Sequence, residues 1–199
     1  MQGNHYYGDV LNFVTELTNR PPTDPDELTR RWHAAGLGTG RTADARDLAE
    51  TREFLARWTE VIDAETEEER VRLLNALLAE TAAYPRITGH GGTAWHLHYR
   101  DDGVHLAAVL RAVAVVAAAK HLTQFGMHRL GRCALKECGF AFVDMTRGGR
   151  QRYCTRTCAN RDAVRRHRAR TAAKPTPPRP GGARAVVGPR RPRRGPPAG

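Results

Sequence analysis

The sequence predicts a mostly α-helical protein with a small β element, followed by a cysteine-rich finger and a basic tail. Three observations support this. Apolar residues recur at helical spacing through most of the first 128 residues, all four cysteines lie between residues 132 and 160, and the C-terminal stretch is rich in proline, glycine and arginine. We therefore expect a helical domain over 1–128, a finger over 129–170 and a disordered tail over 171–199.

The first two helices are predicted from apolar spacing and from capping signals. A short helix over Val10–Thr18 would place Leu11, Val14 and Leu17 on one side. A second helix is expected to begin after Asp24, which would act as its N-cap, with Pro25 in the first turn and Glu27 completing the cap. This helix should end at Gly36.

Two further helices follow on the same grounds. Residues 42–63 carry Leu48, Leu55, Trp58 and Ile62 at helical spacing. Thr66 and Glu69 then form a capping-box pattern, which predicts another helix start. The apolar positions of that fourth helix are Val71, Leu74 and Leu78.

A strand or hairpin and then a long helix complete the N-terminal domain. Between residues 86 and 102, Trp95, Leu97 and Tyr99 alternate with His96 and His98, a pattern typical of a strand. A long helix rich in alanine and valine follows Gly103 and ends near Gly126. Its uninterrupted apolar run, 112–119, is too short to cross a bilayer, so we expect a buried core helix and no membrane association.

The charge distribution separates the chain into two regions. Residues 1–146 hold 16 lysines and arginines against 20 acidic residues, whereas residues 147–199 hold 16 against Asp162 alone. The corresponding net charges are −4 and +15, so a neutral or acidic domain carries a polyanion-binding end. Residues 1–10 are polar and lack the apolar region of a secretory signal, which predicts a cytoplasmic, nucleoid-associated protein. In that compartment four cysteines indicate a metal site or catalysis rather than disulfides.

The cysteine spacing predicts one structural zinc ion. Cys133 and Cys138 are separated by four residues, Cys154 and Cys158 by three, and fifteen residues lie between the two pairs. Two close pairs joined by a short spacer are typical of a tetrahedral four-thiolate zinc site. Four thiolates leave no open position for catalysis, so we expect the zinc to be structural and the finger to unfold without it.

The spacer itself predicts a hairpin. Phe140, Phe142 and Asp144 alternate with smaller residues as in a strand, and Gly148–Gly149 supply a turn. We expect Arg150–Tyr153 to return as the second strand, and Cys154 and Cys158 to face the metal from the start of the final helix. A knuckle, a hairpin and a helix in this order form a treble-clef-like finger.

This stretch resembles the CGNR zinc-finger family, named after four residues that here are Cys158, Ala159, Asn160 and Arg161. The segments CALKECGFAFVDMTRGGRQRYC and VRRHRAR extend the likeness, and the upstream LNFVTELTNR and helical region resemble the ABATE domain that commonly precedes such a finger. The resemblance implies a stress-induced transcription regulator. Two features differ from the family pattern: alanine at 159 in place of glycine, and three rather than four residues between the second pair of cysteines.

The helix after Cys158 is predicted to bind duplex DNA. Helical spacing places Arg161, Arg165 and Arg168 in one stripe with Arg166 and Arg170 beside it, and only Asp162 opposes them. Arginine binds phosphate in a bidentate manner and reads guanine in the major groove. We expect Val164 and His167 to pack back on the finger, over Phe140, Phe142 or Tyr153. Further contacts are predicted to come from the phosphate-binding Arg147, Arg150 and Arg152, and from Asn160, which would contact a base or cap the helix.

Other functions are weighed against DNA binding. RNA binding and a protein-interaction finger remain alternatives, although few aromatic residues are available to stack unpaired bases. We expect no enzyme, since the chain has no phosphate loop, nucleophile elbow or His-Glu-x-x-His motif. The helical domain could bind a small effector or form a homodimer through Trp95, Tyr99 or the long helix. His96 and His98 share a strand face that could suit a second metal, with exposed strand histidines as the simpler interpretation.

Overall fold

The computed structural model describes residues 3–38, 40–81, 84–89 and 95–172. Within these residues the protein has six α-helices and four short strands, and a 3₁₀ turn over Met127–Arg129 leads into the third strand. The elements in chain order are α1 (Gly3–Asn19), α2 (Pro25–Ala34), α3 (Ala45–Asp63), α4 (Glu67–Thr81), β1 (Arg86–Thr88), β2 (His96–His98), α5 (Leu106–Phe125), β3 (Leu130–Arg132), β4 (Ala141–Val143) and α6 (Arg156–Ala172). The mostly helical fold with a small β element is therefore confirmed.

The described residues fall into two compact units whose boundary lies within α6, between Ala163 and Val164. In the first unit α5 is the central helix and packs against α1, α3 and α4. It is buried on nearly every side, because neighbouring helices surround it; the buried residues include Leu106, Leu110, Val115 and Leu122. By length and composition α5 could cross a membrane, but 67% of its most apolar stretch is buried inside the protein, and core helices share this property.

Local capping signals fix where the helices begin. The carboxylate of Asp24 accepts a hydrogen bond from the Glu27 backbone N–H at 2.7 Å, as predicted for the start of α2. The cap of α3 is Asp44, whose side chain and that of Asp47 form a reciprocal capping box. Asp47 also accepts a bond from the Ala107 backbone N–H at 2.8 Å, so one buried carboxylate joins the starts of α3 and α5.

Strands β1 and β2 form the predicted hairpin of the helical domain. They pair antiparallel, with Ile87 opposite Leu97, Arg86 opposite His98 and Thr88 opposite His96. Ile87 and Leu97 are 74% and 45% exposed, whereas His96 and His98 are half-buried. The apolar face of this hairpin thus points towards solvent, the reverse of the usual arrangement in an antiparallel sheet.

Strand β4 does not pair with residues 150–153, so that part of the predicted hairpin is wrong. It pairs antiparallel with β3, which lies before the first cysteine, and Ala141 stands opposite Arg132. The Asn19 side chain at the end of α1 occupies the other edge of β4: its amide donates to the Ala141 carbonyl at 3.0 Å and accepts from the Ala141 N–H at 2.7 Å. Asn19 therefore takes the place that a third strand would occupy.

The finger and the helices consequently share one hydrophobic core. Leu130, Ala141 and Val143 are buried together with core residues of α1 and α5. Arg70 reinforces this junction, because its buried guanidinium donates to the carbonyls of Val61, Ile62 and Ala64 at the end of α3 and to that of Met127. The carbonyls of Val61, Ile62 and Ala64 lie at the C-terminal end of α3, where intrahelical donors are lacking, and desolvation lowers the pKa of Arg70.

Several boundaries and positions differ from the sequence predictions. Helix α1 begins at Gly3 rather than Val10, and Val71 on α4 is 37% exposed while Leu77 is buried instead. Residues 171 and 172, which were predicted to begin the tail, are the last residues of α6. The remainder of the predicted tail, 173–199, lies outside the described residues.

Replacing Asn19 with alanine should destabilise the protein by about 2 kcal/mol, since it leaves the Ala141 N–H and carbonyl without their partner. Urea unfolding of the zinc-loaded protein measures this. The control is Asn12→Ala on the same helix, because Asn12 is exposed and should change the free energy of unfolding by less than about 0.5 kcal/mol. Equal effects of the two substitutions would contradict the bridging role of Asn19.

Candidate metal centre and basic helix

The four predicted cysteines converge on one point. Sulfur atoms of Cys138, Cys154 and Cys158 lie 3.5–3.7 Å apart in pairs, and all four sulfurs, including that of Cys133, lie within 4.8 Å of one another. A tetrahedral zinc ion with bonds of about 2.3 Å requires sulfurs about 3.8 Å apart. The donor set and its spacing therefore fit one structural zinc ion bound by these four residues.

Backbone hydrogen bonds hold the first pair of cysteines in place. The Cys133 N–H donates to the Phe140 carbonyl at 2.8 Å, and the Cys138 N–H donates to the Leu135 carbonyl at 2.9 Å. The Ala134 N–H donates to the Arg152 carbonyl at 2.7 Å, which draws the second cysteine segment against the first. The cluster therefore has its shape from main-chain contacts as well as from the sulfurs.

The ionisation of these thiols also favours a metal. Burial and the neighbouring sulfurs raise the pKa of Cys154 well above its usual value, whereas the hydroxyl of Thr155 lowers the pKa of Cys158. Four thiolates confined to this volume would repel one another strongly. Zinc binds thiolates and displaces their protons, so a bound zinc ion would neutralise the negative charges that otherwise repel one another in this buried cluster.

The start of α6 is held at Cys158 and, one turn later, at Asp162. Thr155 caps the helix, its hydroxyl accepting from the Cys158 N–H at 3.2 Å, so the helix begins at Arg156 rather than at the predicted Cys158. Asp162, four residues after Cys158, is 5% exposed and accepts a 2.6 Å hydrogen bond from the Tyr153 hydroxyl. The zinc ligand and this carboxylate thus face the same way, and the first two turns of α6 cannot rotate freely.

Helix geometry explains why the predicted intramolecular contacts of three α6 side chains are wrong. Each residue advances about 100°, so Asn160, Val164 and His167 lie about 120–180° away from Cys158 around the helix. Accordingly Val164 is 50% exposed, and Asn160 and His167 are exposed, so neither Val164 nor His167 packs back as predicted. Nor does Asn160 cap the helix, a role that belongs to Thr155. The inward position at Asp162 could have been inferred from its spacing of four from Cys158.

A buried ion pair shapes the loop that carries the predicted phosphate contacts. The Asp144 carboxylate accepts from the Thr146 and Gln151 backbone N–H groups at 2.8 and 2.9 Å, and the Arg129 guanidinium lies 3.6 Å from it. Burial disfavours ionisation of Asp144, but a hydrogen bond from the Thr146 hydroxyl, together with the two backbone bonds and Arg129, outweighs it and lowers the pKa of the carboxyl. At Gly149, whose φ is +61°, any side chain would lie within 2.8 Å of Arg129.

The same loop contacts the helical domain directly. His121 near the end of α5 lies with its Nε2 atom 3.2 Å from the Asp144 carbonyl, and desolvation lowers the pKa of this imidazole. Arg129 adds hydrogen bonds to the carbonyls of Phe125, Asp144 and Thr146. No sequence motif marks His121 or Arg129 as important. Their role is visible only from their burial and contacts in the structure.

All the predicted nucleic-acid contacts are exposed. They comprise the loop residues Arg147, Arg150 and Arg152 and the α6 residues Asn160, Arg161, Arg165, Arg166, Arg168 and Arg170, and Arg156 is exposed with them. Among the described residues before position 147, the arginines that form ion pairs with acidic residues include Arg31, Arg46, Arg57, Arg86, Arg111, Arg129 and Arg132. The predicted contact residues between 147 and 170 therefore present their positive charge to solvent.

The described part of the first unit contains a groove and a smaller cavity. A groove of about 300 Å³ lies between α1 and the finger and is lined by residues that include Asn12, Asn19, Phe140 and Thr155. A smaller cavity of about 80 Å³ in the helical region is lined mainly by charged side chains, among them Glu53, Arg57, Glu80 and Arg111. The smaller cavity is well below the 300–1,000 Å³ typical of sites for drug-sized ligands.

Comparison with protein families agrees with this geometry. Residues 12–124, more than half of the chain, match the ABATE family, which is described as "Putative stress-induced transcription regulator". The chain belongs to the ABATE family. Residues 129–171 match the CGNR zinc finger, and all four cysteines fall within that match. A comparison with curated proteins finds no match. The ABATE protein thus carries a zinc finger whose cysteines are placed to hold one ion.

Replacing Cys138 or Cys158 with serine should remove zinc, because a three-thiolate cluster loses both charge and geometry. After dialysis against a chelator, metal content should fall from one equivalent to below a tenth, and amide exchange over 156–163 should accelerate. Amide exchange at Leu130 and Val143 should change less, since the shared core buries them. Thr157→Ser, an exposed position in the same turn, is the control. Retention of a full equivalent of zinc in both cysteine variants would contradict the four-thiolate site.

Proposed function

We propose that this ABATE protein is a zinc-dependent DNA-binding regulator of transcription that contacts duplex DNA through α6 and the 147–152 loop. One observation supports this above all others: nine exposed arginines between residues 147 and 170 share their segment with a single, buried acidic residue, Asp162. The family description supports a role in transcription.

The attachment of α6 favours recognition by a rigid helix. Cys158 is placed to bind the metal and Asp162 binds the Tyr153 hydroxyl, so the first turns of the basic helix have a fixed direction. A fixed helix loses little conformational freedom when it binds, which leaves more of each arginine–phosphate contact as net affinity. Helical spacing aligns Arg161, Arg165 and Arg168, as a helix in a groove requires.

The loop arginines supply contacts of a second kind. Arg147, Arg150 and Arg152 lie on a loop that Asp144 and Arg129 hold in shape, and their side chains are exposed. Contacts to phosphate position a protein on the duplex without reading its sequence. We assign these arginines to phosphate binding and the α6 stripe to base contacts.

Double substitution of Arg161 and Arg168 with alanine should weaken binding of the full chain to a 30-base-pair duplex at least tenfold at 0.15 M salt. The slope of log K against log salt concentration should become shallower by about one for each phosphate that the variant no longer neutralises. Fluorescence anisotropy measures both quantities, and metal analysis verifies that zinc is retained. The control is the pair Arg30→Ala and Arg72→Ala, two exposed arginines of the ABATE domain. Equal reductions of affinity in both pairs would refute α6 as the binding element.

The same titration separates the alternatives. A single-stranded RNA that binds more tightly than the duplex would indicate an RNA-binding finger. Binding that is independent of salt would exclude phosphate as the partner and favour a protein-interaction finger. Selection of bound fragments from sheared genomic DNA then distinguishes a sequence-specific regulator, which enriches a recurrent site, from a general DNA binder.

We also propose that the ABATE domain forms a homodimer through the β1–β2 hairpin. Tyr84, Ile87, Trp95 and Leu97 are 92%, 74%, 80% and 45% exposed. Tyr84 and Trp95, as aromatic residues, can each bury about 150–250 Å². Together with Ile87 and Leu97 they supply roughly 600 Å² of the ~800 Å² that each partner buries in a standard interface. Two strands rarely suffice for a stable sheet, and a second copy would provide two more.

Analytical ultracentrifugation of the zinc-loaded chain at about 5–50 µM should show a dimer that dissociates at least tenfold more readily in the Leu97→Ser variant. Ile87→Ser should act in the same direction, because Ile87 and Leu97 are cross-strand partners. Val71→Ser on α4, also an exposed apolar position, should leave the equilibrium unchanged. A monomeric wild type at the highest concentration would reject this interface.

A further inference from the structure

The polar face of the β1–β2 hairpin brings two imidazoles together. His96 and His98 are two residues apart on β2, so their side chains project to the same side. Their Nε2 atoms lie 3.1 Å apart, and the ring centroids are 4.9 Å apart at an interplanar angle of 64°. Both rings are half-buried, which restricts the rotamers available to them.

The geometry points to a second metal site, in which His96 and His98 bind one divalent transition-metal ion of the Zn²⁺, Ni²⁺ or Cu²⁺ class. Metal–imidazole bonds of about 2.0–2.1 Å at the tetrahedral angle place two nitrogens about 3.3 Å apart. The observed separation of 3.1 Å therefore requires a movement of only a few tenths of an ångström. The ring that now donates through Nε2 would carry its proton on Nδ1 instead, so both rings bind as neutral imidazoles.

The charges around the pair permit a cation. Arg86 is the cross-strand neighbour of His98, and its guanidinium lies 3.6 Å from the carboxylates of both Asp101 and Asp102. Arg100 adds a second positive charge at this end of the hairpin, so these four side chains balance. A cation bound between the imidazoles would therefore meet no net repulsion from them.

The ligand type distinguishes this site from the cysteine cluster. Thiolates select zinc and hold it through four bonds, whereas two imidazoles leave at least two positions for water or for another ligand. We therefore expect the histidine site to bind reversibly in the micromolar range and to lose its metal during dialysis. Magnesium and calcium prefer oxygen ligands and should not compete.

Trp95 provides an internal reporter for this site. It immediately precedes His96 and is 80% exposed, whereas Trp32 and Trp58 are 1% and 0% exposed. A paramagnetic ion bound to His96 should quench the fluorescence of Trp95 far more than that of the two buried tryptophans.

The experiment titrates the full, zinc-loaded chain with NiCl₂ and records tryptophan fluorescence and calorimetric heat. We expect saturable quenching with one nickel per chain while zinc content stays at one equivalent. His96→Gln and His98→Gln should each raise the nickel Kd at least tenfold. His167→Gln, a substitution at a single exposed histidine on α6, should leave it unchanged, and MgCl₂ should cause no quenching.

Two results would overturn the proposal. One is quenching that does not saturate, or no heat beyond dilution. The other is an unchanged nickel Kd in both His96→Gln and His98→Gln. Circular dichroism of the two variants distinguishes an absent site from an unfolded chain, and the glutamines retain hydrogen-bonding capacity at an already solvated hairpin. Neither result depends on DNA binding, and the calorimetric heat gives the nickel Kd without using Trp95, which the proposed dimer would cover.

Discussion

The burial of α5 is the constraint on which the rest of the fold depends. Because α1, α3 and α4 all pack against it, α5 buries most of its residues, and polar side chains such as Arg111 are confined to the few positions that are not buried. This accounts for a composition that resembles a membrane helix. Polar groups occur where the helix meets other elements: the start of α5 is bound by Asp47 and its last turns by the finger, through the contact of His121 with Asp144. The two ends of α5 are thus held by different elements, α3 at the start and the finger at the last turns.

The finger depends on this scaffold as well as on its metal. Zinc fixes the four cysteines and the start of α6, whereas Asn19, the shared core and Arg70 fix β4 and the segment before the first cysteine. An exposed ion pair between Arg132 and Asp63 joins the knuckle to α3 and raises the pKa of Arg132. Such a pair contributes little free energy, so direction comes mainly from the buried contacts. The orientation of the start of the basic helix therefore depends on two sets of contacts, the metal cluster and the buried contacts between the finger and the helices.

Local sequence signals were sufficient to predict much of this structure. Contacts between residues that are far apart in sequence could not be predicted from them. Cap residues such as Asp24, the alternation around His96 and the cysteine spacing each depend on neighbours in sequence, and they predicted the helices, the first hairpin and the metal ligands correctly. The partner of β4 was predicted wrongly because β3 consists of only three residues, with no alternation to detect, and because Asn19 lies 122 residues away. Val164 was predicted to pack inward because it is apolar. Its angular position relative to Cys158 on the helix places it outward instead, and it is 50% exposed.

The carbonyl-bound guanidinium of Arg70 has a practical consequence for any study of binding. Added salt screens contacts between exposed ions, so the Arg132–Asp63 pair weakens as ionic strength rises, whereas buried hydrogen bonds to backbone carbonyls are hardly affected. The contacts between the helices and the finger should therefore persist at ionic strengths that would displace DNA from the proposed interface. Loss of complex in concentrated electrolyte will then report dissociation of an intact protein, and affinities measured across the range can be compared on one thermodynamic scale.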